Sequence, residues 1–175
     1  VGMHAAILGE ARLGKSIVIL GAGTIGLMVL QACKSLGATD ITVVDVMDKR
    51  LDLAKELGAS RTINGAKEDT VALLRSEELF GDHGVELVFE CAGSTFTANQ
   101  AVQIVARGGK IMMVGTQSKP VPIDFLKINR EVTIQTSFRY CNNYPQTIEA
   151  IRSGKFNVKD MVTHVYDYKD VQQAF

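Results

Sequence analysis

Short apolar runs alternate with longer amphipathic ones along most of the chain. Ile17-Val18-Ile19-Leu20 is continuous, β-branched and too short for a helix, which predicts a buried strand. Thr24 to Leu36 is a long, mostly apolar run that stops at Gly37, so it predicts a helix, and Ile41 to Val44 predicts a second strand. From Asp48 to Leu57 the apolar residues Leu51, Ala54 and Leu57 recur at helical spacing, with Asp48 as N-cap and Gly58 as the stop. Ser60 to Ile63 reads as a third strand and Lys67 to Leu79 as a more exposed helix of mixed charge. Gly84 to Glu90 is the fourth strand, and Ser94 caps a helix reaching about Ala106. Gly108-Gly109 then turns into a fifth strand, Lys110 to Val114. A short helix near Asp124 to Asn129 precedes a sixth strand, Glu131 to Phe138, where Val132, Ile134, Thr136 and Phe138 alternate. A helix from Tyr144 to Ser153, a short strand near His164 to Tyr166 and a helix start at Asp167 close the chain. An alanine-rich helix, Val1 to Leu8, opens it.

Strands alternating with helices imply an α/β fold with a parallel sheet and right-handed crossovers. Six main strands in two halves match a Rossmann doubly wound sheet in the order 3-2-1-4-5-6, whose ligands lie beyond the carboxyl ends of the strands. That rule nominates Gly21 to Gly26, Asp45, Cys91 to Gly93 and Val114 to Thr116, with Phe138-Arg139-Tyr140 at the end of strand six.

The first of these carries the most chemistry. Gly21-Ala22-Gly23-Thr24-Ile25-Gly26 has the spacing GxGxxG between a strand and a helix, and Asp45 closes the next strand about 20 residues on. Gly21 permits the tight turn, Gly23 lets the backbone approach a pyrophosphate, and Gly26 lets the helix pack on the strand. The helix N-terminus offers N–H groups and a partial positive charge to phosphates. Asp45 is placed to accept hydrogen bonds from a ribose, and a 2′-phosphate there would set like charges together at a cost of about several kcal/mol. NAD is therefore expected over NADP. Arg50 reads either as a partner for such a phosphate or as a solvated charge on a helix face; Val46 and Met47, directly after Asp45, are not arginines.

Composition adds limits. With 175 residues and 46% apolar content, one domain with a full core is expected. The 19 basic and 19 acidic residues balance, which argues against nucleic acid or an anionic membrane as partner. No apolar run approaches the roughly 20 residues that span a bilayer, and the first ten residues lack a basic segment followed by an apolar block. Cys33, Cys91 and Cys141 are far apart, with no CxxC pair and no nearby histidine at ligand spacing, so metal is not expected in this chain; free thiols suit a reducing cytoplasm. The chain opens within a helix and stops without a polar tail, giving the expectation of a domain from a longer protein.

The whole chain resembles the cofactor domain of zinc-dependent medium-chain alcohol dehydrogenases, and within them the sorbitol (polyol) dehydrogenases. The likeness rests on VGMHAA at the start, GAGTIG with Asp45 and Arg50, FECAG at 89–93, GGKIMMVG at 108–115, FRYCNNYP at 138–145 and VTH at 162–164. It implies that Gly21, Gly23, Thr24, Ile25 and Gly26 with Asp45 and Arg50 serve the adenosine and phosphate half of NAD. Val114, Gly115, Thr116, Ser137, Phe138 and Arg139 would line the nicotinamide side, with Cys91 a small residue beside the cofactor. Arg139 and Tyr140 would also face the substrate, where five arginine donors and a tyrosine hydroxyl suit a chain of hydroxyls. The resemblance further implies a catalytic zinc held in a separate domain, no catalytic residue in this chain, a polyol or ketose substrate, and a homo-oligomer (dimer or tetramer). His4 and His83 are expected to be inert, and His164 to be packing or backbone support. A different substrate (threonine, butanediol or a simple alcohol) and a non-catalytic NAD-sensing module are the alternatives.

Overall fold

The computed structural model describes residues 1–128 and 130–175. Among them the chain forms one parallel sheet in the order β3-β2-β1-β4-β5-β6, as the alternation of elements predicts. Helix α1 (Gly2–Leu8) precedes β1 (Ser16–Leu20), α2 (Thr24–Ser35) and β2 (Asp40–Asp45). Then come α3 (Asp48–Glu56), β3 (Arg61–Asn64), α4 (Thr70–Leu74) and β4 (Val85–Glu90). The second half continues with α5 (Thr95–Ile104), β5 (Val105–Met113), β6 (Thr133–Thr136), α6 (Tyr144–Arg152) and α7 (Val171–Ala174).

Strand β1 shows why the sheet reads as continuous apolar runs. Ile17 and Ile19 point into the layer formed with α1, α2 and α3, while Val18 and Leu20 point into the layer under α5. All four are fully buried. A parallel sheet covered on both faces admits no polar alternation in its central strands.

The ends of several elements differ from the sequence expectation, each for a local reason. Met47, not Asp48, occupies the N-cap of α3; the Asp48 carboxylate instead accepts from Asn64 Nδ2 and Lys67 Nζ, both at 2.7 Å. Helix α5 stops at Ile104, and β5 starts five residues earlier than expected, with the Gly108-Gly109 pair inside a bulge between Val85/Leu87 and their partners Val105 and Lys110. Strand β6 is shorter than expected, and the segment His164 to Tyr166 is not a strand: Val165 is 89% exposed and has no neighbouring strand in this chain to pair with among the described residues. The helix expected near Asp124 to Asn129 is a turn over 125–127, where Asp124 accepts from Leu126 N and Lys127 N; Asn129 itself lies outside the described residues.

Helix α4 is the largest departure, ending at Leu74 where a helix to Leu79 was expected. Arg75 follows at once and turns its guanidinium onto backbone carbonyls. Nε and Nη2 reach Gln103 O at 2.9 and 2.8 Å, and Nη1 reaches Asp82 O at 3.2 Å. One side chain thus satisfies carbonyls at the end of α5 and in the loop before β4, which helix continuation would have left apart. Replacing Arg75 by Met keeps its aliphatic stem and strands those carbonyls. The expected loss is about 2 kcal/mol, read as a lower urea midpoint at unchanged slope.

Candidate functional site

The carboxyl ends of β1, β2, β4 and β5 converge on one groove. At its centre the three glycines do what their spacing predicts. Gly21 has φ +104°, and a Cβ there would lie 2.9 Å from Ala92 N. A Cβ at Gly26 would lie 1.8 Å from Gly21 O, so α2 sits directly on the turn that precedes it. Gly23 is the N-cap of α2, and among the described residues a Cβ there would meet nothing within 4 Å. The space in front of the helix N-terminus is open, with Thr24 and Ile25 forming its first turn.

Asp45 closes β2 beside this turn, 8% exposed. Its Oδ2 accepts from Ala22 N at 2.7 Å, and Oδ1 accepts from Val46 N at 2.8 Å and Met47 N at 3.0 Å. Arg50 Nη1 stands 3.6 Å from Oδ2 with its side chain half exposed. Three backbone donors hold the carboxylate in one orientation, and the Arg50 guanidinium flanks it on one side. A cavity of about 250 Å³ opens next to it, walled by Gly21, Asp45, Arg50, Thr70, Phe96 and Gln100.

The opposite half of the groove is organised by Glu90, the last residue of β4, which is fully buried. Its Oε1 accepts from Ala92 N at 3.0 Å, Gly93 N at 2.9 Å and Thr97 Oγ1 at 2.7 Å, and its Oε2 accepts from Gln117 Nε2 at 2.9 Å. Its backbone carbonyl accepts from Val114 N and Gly115 N. A Cβ at Gly93 would lie 2.6 Å from Thr116 O, and one at Gly115 would lie 2.3 Å from Gly93 N. The loops after β4 and β5 therefore touch backbone to backbone, with one carboxylate stitching them. Cys91 lies between them, and burial, reinforced by the charge of Glu90, pushes its thiol well above the ordinary value. A thiol shifted this way stays protonated near neutral pH.

Two buried hydroxyls, Thr70 Oγ1 and Ser137 Oγ, have no hydrogen-bond partner among the described residues. Thr70 lines the cavity beside Asp45, and Ser137 continues β6 by donating its N–H to Met113 O. Unpaired buried hydroxyls are costly, and each is a group that a bound dinucleotide with polar bases at both ends could satisfy. With the open N-terminus at Gly23 and the aimed carboxylate of Asp45, the groove fits such a cofactor.

After Ser137 the chain leaves the core. Phe138 is 80% exposed, the Arg139 guanidinium lies over its ring at 5.2 Å, and Tyr140 packs edge-on against Tyr144 at 5.1 Å. Of the histidines, His83 borders a hollow at the other end of the sheet, with Glu86 and Arg107. His164 is exposed, bonded to Thr163 and stacked on Tyr166. His4, expected to be inert, bonds Asn143. Among the described residues no group of three or more His, Cys, Asp and Glu side chains could hold a metal ion, and no helix is long and apolar enough to cross a membrane.

Sequence reasoning missed Thr70, Phe96, Gln100, Glu90 and Gln117. Glu90 had a signal: an acid directly after the apolar run Leu87-Val88-Phe89, as Asp45 follows Val43-Val44. The others had none, because a threonine at a helix start and an exposed phenylalanine become site residues only when α4 and α5 are folded beside Asp45.

This geometry defines the nucleotide-binding half of a dehydrogenase-type doubly wound protein. Residues 24–153 match the family model of zinc-binding dehydrogenases, and the chain belongs to that family. It is 65% identical over 175 residues to an uncharacterized zinc-type alcohol dehydrogenase-like protein of Escherichia coli K12, covering all of this chain and 50% of that protein. It is 38% identical over 177 residues to the sorbitol dehydrogenase of Bacillus subtilis 168, covering 99% of this chain and 49% of that protein. Among solved structures, an Escherichia coli oxidoreductase of unknown specificity superposes with a TM-score of 0.95 at 64% identity, over 99% of this chain and 49% of that one. A zinc-binding dehydrogenase of Sinorhizobium meliloti bound to NADP gives 0.86 at 27% identity, over 93% and 48%. The chain spans about half the length of these relatives.

Glu90 supplies a direct test of the groove. In Glu90→Gln an amide N–H₂ replaces one acceptor oxygen, so at least one donor of Ala92, Gly93, Thr97 or Gln117 faces another donor. Expected are a loss of about 1–3 kcal/mol in unfolding free energy and weaker binding of NADH, with ADP-ribose affinity less affected. Calorimetric titration of both ligands, alongside a urea melt, checks this.

Proposed function

We propose that this chain is the NAD-binding domain of a zinc-dependent polyol dehydrogenase, exchanging hydride between a secondary alcohol of a sorbitol-, iditol- or xylitol-type polyol and NAD. The observation that carries the reading is the position of Arg139 and Tyr140. They are exposed polar groups directly beyond the carboxyl end of β6, on a segment whose root at Ser137 adjoins the groove. The similarity to a sorbitol dehydrogenase over the full chain supports it.

In this reading Asp45 accepts from the adenosine ribose, with Ile25 and Arg50 beside it, and the α2 N-terminus at Gly23 and Thr24 receives the pyrophosphate. Val114, Gly115, Thr116, Ser137, Phe138 and Cys91 form the walls on the nicotinamide side, held to shape by Glu90. Arg139 and Tyr140 donate to substrate hydroxyls and orient the reacting carbon toward the nicotinamide face. A zinc ion held by residues outside this chain would polarise the substrate oxygen. The domain by itself binds cofactor and does not turn substrate over. We place the full protein in the cytoplasm, consistent with its three free thiols, and as a homo-oligomer joined along the exposed edge strand β6.

NAD is favoured over NADP because the Asp45 carboxylate would face a 2′-phosphate, and the half-exposed Arg50 compensates only part of that charge. In the full-length protein, kcat/KM with NAD should exceed that with NADP by roughly a hundredfold, and Asp45→Ala should shrink the ratio to about tenfold or less. Initial rates of reduced-cofactor formation with sorbitol, xylitol and L-threonine, with and without a zinc chelator, test the substrate. Chelator-sensitive turnover of the polyols is the expected result. Turnover of threonine alone would discard the polyol reading, and cofactor binding without turnover of any alcohol would favour a sensing module.

A further inference from the structure

His4 lies on α1, away from the groove, and its Nδ1 sits 3.0 Å from Asn143 Oδ1. Asn143 is 9% exposed, and the same oxygen accepts from Cys141 N at 3.3 Å. With Oδ1 identified as the acceptor by that backbone donor, His4 is the donor through Nδ1–H. The Asn143 carbonyl in turn accepts from the N–H and the hydroxyl of Thr147, which fixes the residue to the first turn of α6.

The segment before Asn143 needs holding. Arg139 and Asn142 have φ of +53° and +54°, a left-handed conformation that side-chain-bearing residues adopt at a cost. Phe138, Arg139 and Tyr140 bury little, and beyond the Arg139–Phe138 stack within the segment the edge-on contact of Tyr140 with Tyr144 is their packing against the rest of the domain among the described residues. One end of the segment is anchored by Ser137 N–H to Met113 O at 2.9 Å, the other by the His4–Asn143–Cys141 contacts.

The helix that carries His4 is itself rigidly placed. A Cβ at Gly2 would lie 2.6 Å from the Met28 backbone, so α1 lies backbone-close on α2. At its other end Lys110 Nζ, on β5, donates to Leu8 O at 3.1 Å. Helix α2 is the one whose N-terminus opens onto the phosphate space.

We propose that His4 is a positioning residue: its hydrogen bond to Asn143 sets the Phe138–Asn142 segment relative to the phosphate-facing helix. It thereby fixes how far Arg139 and Tyr140 stand from the cofactor. The effect of His4 on substrate rests on the polyol reading of Arg139 and Tyr140; its effect on the segment does not.

The test uses the full-length protein and four variants. His4→Leu and Asn143→Ala remove the bond, whereas His4→Asn puts an amide N–H₂ near the place of Nδ1 and Asn143→Asp keeps both acceptor contacts. Hydrogen exchange of peptides covering 138–143 should speed up at least fivefold in the first pair and return toward wild type in the second. The KM for the polyol should rise about five- to tenfold in the first pair, the effect of losing one net hydrogen bond, and the KM for NAD should rise less, since of the segment only Phe138 is assigned to the nicotinamide wall. If His4→Leu unfolds the protein, Asn143→Ala against Asn143→Asp decides alone, since α1 is then untouched. Unchanged exchange in the bond-removing variants, or no recovery in the conservative ones, overturns the proposal. Faster exchange with an unchanged polyol KM upholds the positioning role and instead removes Arg139 and Tyr140 from the substrate site.

Discussion

Backbone-to-backbone contact at the carboxyl end of the sheet is the constraint on which the rest of this domain depends. Gly26 sits on the carbonyl of Gly21, Gly21 on the backbone of Ala92, Gly93 on Thr116 and Gly115 on Gly93. Each step is closer than a side chain would allow. Together they form a chain of contacts from the phosphate turn, through the loop after β4, to the loop after β5. No side chain intervenes to give, so the distance between the N-terminus of α2 and the loop after β5 is set by main-chain geometry. Such a groove is organised before ligand arrives, which lowers the ordering cost of binding.

Two carboxylates finish the groove by opposite routes. Asp45 and Glu90 each end a strand and each accept from backbone N–H groups of the loop that follows. Asp45 lines an open cavity, so its carboxylate is available to a ligand. Glu90 is sealed, with its partners all supplied by the protein, so its charge serves shape. A buried carboxylate without a cation is tolerated here because its oxygens collect four donors from four residues, which replace the lost water. The same residue class at the same place in the strand thus faces an open cavity in one half and builds the wall in the other.

The sheet and the phosphate turn were legible in the sequence because both are local. Apolar runs of strand length and a GxGxxG between strand and helix carry their own physics, and the strand order followed from two repeats of one crossover rule. What the sequence did not show was decided at long range. Helix α4 stops where Arg75 finds carbonyls of Gln103 and Asp82, a choice between helix propensity and distant acceptors that no local window contains. Thr70 and Phe96 became cavity residues only by the docking of α4 and α5. His4 was dismissed because its partner lies 139 residues away.

That last case bears on how the domain divides its work. The cofactor groove is built from loops between adjacent strands, where register fixes each loop to its neighbour. Among the described residues the segment after β6 has no such neighbour within the chain, because β6 is the edge strand of the sheet. Residues 138–142 must therefore take their position from elsewhere, and α1 is the element near enough and rigid enough to supply it. Helix α1 then has a second role beside its share of the core: packed on α2 through Gly2 and tied to β5 through Lys110, it carries the frame of the groove to a segment that the sheet cannot reach.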